Sequence, residues 1–286
     1  MKRATSLASV IAGALGILLG SAAASAQATV DTEDTYSNVG AIMVWRVDSS
    51  GTPVELRGFA SGTLIRPRVM ITAGHFTAPV KALGAIPPTI RIVASFSPTD
   101  ARDPSTWIPV IALATHPSMP HCPPPPKCDP TDEILVAPLE PGIADVGLVF
   151  LDRAPTNIEP AVLAAPGTLE RSEGARSTIV GYGLTSPAPE DVAVDAWPWD
   201  GKRRIRASAV RRIVDETWGL WSIPSYVCSG DSGGGIFLDA RSGRTAARLV
   251  ANVSDGGQDC RRHNNNNRLD TQAIQTWIDD VVKAHR

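Results

Sequence analysis

Between Ala41 and Ser254 short strand-like runs recur, bounded by Gly, Pro, Asn or Asp. The runs are "AIMVWRV" (41–47), "TLIRPRVMITA" (63–73), "TIRIVASF" (89–96), "WIPVIALAT" (107–115), "VGLVFL" (146–151), "STIVGYGL" (177–184), "RRIRASAVRRI" (203–213), "GIFLD" (235–239) and "ARLVANVS" (247–254). Most have strand length and are rich in β-branched residues, and turn formers punctuate them. The 24 Gly and 24 Pro are spread along the chain rather than pooled. Such a chain closes most readily into an all-β barrel or sandwich. The exception is "TQAIQTWIDDVVKA" near the C-terminus, where Ile274, Trp277, Ile278 and Val281 recur at helical spacing. Ala154–Pro160 reads as a linker between two halves, and the four asparagines 264–267 read as a turn.

The first 26 residues have the layout of a secretory signal peptide. Lys2 and Arg3 precede an apolar run from Leu7 to Leu19, and Ala24-Ser25-Ala26 supplies a small-residue cleavage pattern. The run is short for a membrane anchor, so the mature chain is expected to begin at Gln27 and to be exported, secreted or periplasmic. No later segment is long and apolar enough to span a bilayer as a helix. The chain is 43% hydrophobic and 20% charged, enough for a sizeable core. A net charge of −2 gives no electrostatic case for nucleic acid or an anionic membrane. Export places the four cysteines in an oxidising compartment. Cys122 and Cys128 bracket "PPPPK" and are expected to close a small local loop, which leaves Cys228 with Cys260. Metal binding is the alternative use of cysteines, but no CxxC or HExxH spacing occurs.

One stretch carries chemistry on its face: "CSGDSGGGIF", from Cys228 to Phe237. A serine hydroxyl needs a base to act as a nucleophile at neutral pH, and the base needs an orienting acid. Of the five histidines, His116 and His121 belong to a Pro-rich region, His263 to a polar turn and His285 to the C-terminus. His75 differs, because it stands where "LIRPRVMITAGH" runs from a strand into a Gly turn. Asp145 opens the apolar run "VGLVFL", a place where a carboxylate tends to be buried and to need partners. "GDSGG" also fits the G-x-S-x-G elbow of α/β-hydrolases. That order puts Asp and His after the Ser, and too little chain follows Ser232 to hold them.

Taken together, "SGTLIRPRVMITAGH", "DVGLVFL" and "CSGDSGGGIF" resemble the histidine, aspartate and serine motifs of the chymotrypsin/trypsin-like serine proteases, in the family's order His75, Asp145, Ser232. "STIVGYGLT", "RLVANVSDGGQDC" and the terminal helix resemble further family segments. The resemblance implies an all-β fold of two six-stranded antiparallel β-barrels with the active site between them, plus a C-terminal helix. On that basis residues 27–157 form the first barrel and 158–286 the second barrel with the helix. Ser232 matches the nucleophile, His75 the general base and Asp145 the orienting acid. The amides of Gly230 and Ser232 match the oxyanion hole. Ser254 and Gly256 match the strand that holds substrate backbone, and Cys228–Cys260 the disulfide beside the specificity pocket. The resemblance implies a polypeptide substrate, no cofactor and a monomer.

The departures from the family pattern are informative. Ala60 and Phe76 stand where many members carry a disulfide across the histidine loop. Asp255 replaces a usual Trp. Tyr226, six residues before Ser232, takes the position of a pocket-base acid in the trypsin branch, which argues against an Arg or Lys preference. In many members a freed α-amine pairs with the Asp before the nucleophile, here Asp231. No activation sequence precedes "NVGAIMVW".

Overall fold

The computed structural model describes residues 28–82, 85–119, 143–210, 218–221, 227–238, 247–255, 260 and 264–285; for 81, 82, 218–221, 255, 264 and 265 it describes the backbone alone. Residues 1–26, expected to be a signal peptide, and Cys122 and Cys128, expected to pair, lie outside the described residues.

Six strands close a barrel: β2 (Val39–Val47), β3 (Pro53–Arg66), β4 (Val69–Thr72), β5 (Ile90–Ser95), β6 (Ile108–Thr115) and β7 (Gly147–Leu151), in the order β2-β3-β4-β7-β6-β5. All neighbours are antiparallel. "TLIRPRVMITA" is a tight hairpin, with Pro67-Arg68 at the turn between β3 and β4. β4 and β7 read as continuous apolar runs because every residue in them is buried.

The second module is a seven-stranded sheet in the order β1-β9-β8-β11-β12-β13-β10. Its strands are β1 (Thr29–Val30), β8 (Arg176–Gly181), β9 (Arg204–Ala209), β10 (Trp218–Trp221), β11 (Gly235–Leu238), β12 (Arg248–Asp255) and β13 (Asn264–Arg268). Two features differ from the sequence expectation. Thr29 and Val30, assigned by sequence to the first barrel, pair instead with Ile205 and Arg204 at the edge of the second sheet. The asparagine run is not a turn but β13, hydrogen-bonded between β12 and β10. Asparagine has low strand propensity, which tertiary context overrides here, since Asn266 and Asn267 are buried.

Helix α1 (Gly74–Ala82) follows β4 directly, and α2 (Gln272–Ala284) ends the fold. The Thr271 side chain caps α2 by accepting from the Ile274 amide. Ile274, Ile278 and Val282 form its buried stripe. The other side of α2 reaches the first barrel: Trp277 meets His116 edge-on, His285 stacks on Phe150, and Asp279 pairs with Arg66. One continuous apolar cluster includes Met43, Ile71 and Leu148 of the barrel together with Val180, Phe237 and Leu249 of the second sheet. The two modules therefore share a core. Ala60 is buried, and Phe76 packs against the barrel's second apolar cluster.

Candidate active site

β4 and β7 pair antiparallel with Thr72 opposite Gly147. The residues just after β4 and just before β7 thus emerge at the same end of the barrel. His75 and Asp145 are those residues. His75 sits in the first turn of α1 rather than in a bare turn. Its Nδ1 lies 2.8 Å from Asp145 Oδ2, and its backbone amide donates to Oδ1 at 2.6 Å.

Asp145 is fully buried and is held from both modules. Ser254 Oγ on β12 donates to Oδ2 at 2.5 Å. Asn252 Nδ2 on β12 donates to the Asp145 carbonyl at 3.3 Å, and the Asp145 amide donates to Asn267 Oδ1 on β13 at 3.0 Å. Burial alone pushes this carboxyl up. The charge and hydrogen bonds of His75 and Ser254 outweigh it and hold Asp145 below its ordinary value. An ionised carboxylate only accepts hydrogen bonds, so it fixes the imidazole proton on Nδ1 and leaves Nε2 as the basic nitrogen of the neutral ring.

The serine loop runs from Cys228 to Gly234. Two tight turns shape it: the Asp231 amide donates to the Cys228 carbonyl and the Gly234 amide to the Asp231 carbonyl. Gly233 bonds the Val253 carbonyl at 2.7 Å and so docks the loop on β12. Gly230 has φ +91° and Gly233 has φ +81°, conformations that favour glycine. A Cβ on Gly230 would lie 2.0 Å from the Phe59 ring, and one on Gly233 would lie 2.1 Å from Thr72 Oγ1 and 2.6 Å from the Ala73 nitrogen. Gly233 thus packs closely beside the Thr72 side chain and the Ala73 backbone, just before His75.

Ser61 on β3 carries the loop to that position. Its amide donates to the Ser232 carbonyl at 2.9 Å, and its hydroxyl donates to the Gly230 carbonyl at 2.8 Å. The same hydroxyl accepts from the Tyr182 amide, and the Ser61 carbonyl accepts from Thr72 Oγ1. The loop amides divide into two sets. Those of Asp231, Gly233 and Gly234 are bonded, whereas among the described residues those of Gly230 and Ser232 have no acceptor. Phe59, beneath Gly230, stacks on Trp199 with ring centroids 4.3 Å apart.

No protein-family model and no curated protein matches the chain. Solved structures do match. A structure of GrC aligns over 90% of this chain and 98% of its own, at TM-score 0.56 and 16% identity. Human heparin binding protein aligns over 90% of this chain and 96% of its own, at TM-score 0.56 and 14% identity. The fold is trypsin-like. Within this trypsin-like frame Cys228 and Cys260 form the expected disulfide, which ties the start of the serine loop to the segment between β12 and β13. Ser254, expected on the substrate strand, has its hydroxyl turned onto Asp145. Tyr226, Gly256, Cys122 and Cys128 lie outside the described residues, and Asp255 is described in its backbone alone. Sequence reasoning missed Ser61, Asn252 and Asn267. Ser61 had one available signal, the polar "SG" just before the strand run "TLI". The two asparagines had none, since only the meeting of the two modules brings them to Asp145.

Proposed function

We propose that the chain is an exported serine endopeptidase. Ser232 Oγ attacks the carbonyl carbon of a peptide bond while His75 Nε2 accepts its proton. The tetrahedral oxyanion is received by the Gly230 and Ser232 amides. His75 then returns the proton to the leaving amine, the C–N bond breaks and an acyl-serine remains. Water, deprotonated by His75, releases the acid and restores Ser232. Asp145 holds the imidazole in the reactive tautomer throughout. The observation that carries this reading is the buried Asp145 carboxylate on His75 Nδ1, which leaves the base on the ring's other nitrogen. Two uncommitted amides flanking Asp231 add to it, since a preorganised donor is worth on the order of 10²–10³ in rate.

Tyr226 in place of a pocket-base acid supports a preference for small or apolar residues before the scissile bond over Arg or Lys. The Cys228–Cys260 disulfide fits an oxidising compartment. No helix among the described residues is long and apolar enough to cross a membrane. We propose that the exported chain acts as a monomer, with a polypeptide as its partner and without a cofactor.

Hydrolysis of an unbiased peptide library by wild type and by Ser232→Ala tests the function. Cleavage by the first and not the second is expected, and equal cleavage overturns it. A second reading, a binding protein that keeps the fold, draws on a structural neighbour named for binding heparin. In that case no peptide or ester is turned over. Turnover of esters alone would assign the site to an esterase.

A further inference from the structure

Asp231 lies between the two residues whose amides are uncommitted, and its carboxylate is fully buried. A carboxylate has about four acceptor positions. Three are taken here by hydrogen bonds, and a guanidinium nitrogen lies against the fourth as an ion-pair contact. Oδ1 accepts from the Gly183 amide at 2.8 Å and from Arg206 Nη1 at 3.1 Å. Oδ2 accepts from the Cys228 amide at 3.0 Å and faces Arg206 Nη2 at 2.9 Å. Arg206, on β9, is itself 1% exposed. The pair is therefore a buried guanidinium clamped on the carboxylate that sets the serine loop.

The first described residues are engaged elsewhere. Thr29 and Val30 pair with β9 at the sheet edge, and the Asp31 amide donates to the Arg203 carbonyl. The Asp31 carboxylate accepts from the Thr35 and Tyr36 amides and pairs with buried Arg203 at 2.9 Å. Residues 29–31 are held on the outer edge of β9, while the Asp231 site is filled from Arg206 of the same strand.

We propose that Arg206 is a positioning residue that holds the serine loop in its working shape through Asp231, so that the site is competent without a freed N-terminal amine. This rests on the protease reading for its consequence, but the loop clamp can be measured without catalysis. Removing Arg206 would leave a buried carboxylate without its countercharge, a costly arrangement that is relieved by rearrangement. The loop amides bonded to that carboxylate would then be released.

The test has three arms. In the first, a chain beginning at Gln27 and one carrying five Gly-Ser residues ahead of Gln27 are treated with a fluorophosphonate probe. Labelling rates within about twofold are expected, and loss of labelling in the extended chain overturns the proposal. In the second, Arg206→Met is expected to label at least about a hundredfold more slowly, with Arg206→Lys recovering part of the rate because it keeps the charge. Wild-type labelling by Arg206→Met overturns the proposal. The third arm follows hydrogen exchange at the Gly183 and Cys228 amides. Their protection is expected to fall at least about tenfold in Arg206→Met, or in Arg206→Lys if the former does not fold, while the extended chain keeps it. Unchanged protection in the Arg206 variant overturns the clamp. If the wild type takes no probe at all, the protease reading fails and the exchange arm alone decides the proposal.

Discussion

Asp145 stays ionised in a place where burial alone would neutralise it. The His75 ring, the His75 amide and Ser254 Oγ offset the desolvation. A folded-state value below the ordinary 3.8 means that the fold favours the carboxylate. Its contribution to stability is full above the ordinary value and is lost as pH falls through the depressed one. Asp31 and Asp200 are lowered in the same direction, Asp31 by backbone amides and Arg203, Asp200 by Arg204, in each case against burial. Acid titration followed by circular dichroism should therefore show stability declining below about pH 4, with the decline shallower in Asp145→Asn. In the same variant the side-chain amide no longer fixes the Nδ1–H tautomer. We expect kcat to fall by about 10³–10⁴ with little change in KM, measured on a peptide substrate. Asn267→Ala should keep the tautomer and lower kcat by about tenfold, because it frees the Asp145 amide rather than the carboxylate.

The elements that bear the site show what the sequence makes legible. The strand runs, the helix stripe and the order His75, Asp145, Ser232 could be read because each is local: period, turn residues and a short motif. Ser61, Asn252, Asn267 and Arg206 could not, because the Asp145, Asp231 and serine-loop groups they hold lie 25 or more residues away, 171 in the case of Ser61 and Ser232 (232 − 61). β13 was misread as a turn for a related reason, since a polar strand buried between two neighbours has no apolar period to reveal it. Ser61 is the joint between β3 and the serine loop. Ser61→Ala removes one donor and one acceptor and strands the Gly230 carbonyl and the Tyr182 amide. It should cost about 2–4 kcal/mol in denaturant unfolding and lower kcat/KM, as two buried hydrogen bonds are lost. The Cys228–Cys260 bridge closes a loop with a sequence separation of 32, and replacing both cysteines by Ser should cost about 3–4 kcal/mol.

Across the whole molecule, the site is a property of the contact between the two modules. Asp145 comes from the barrel and its supports from the second sheet, while the serine loop comes from the second sheet and its anchor, Ser61, from the barrel. A shared core and α2 keep the two in register. The central claim is that this junction activates one hydroxyl, Ser232. The most direct measurement is to react the protein with a fluorophosphonate probe and map the adduct by peptide mass spectrometry. A single adduct is expected on the peptide containing Ser232, absent in Ser232→Ala and formed at least about a hundredfold more slowly in His75→Ala. An adduct on any other residue, or labelling that survives in Ser232→Ala, would contradict it.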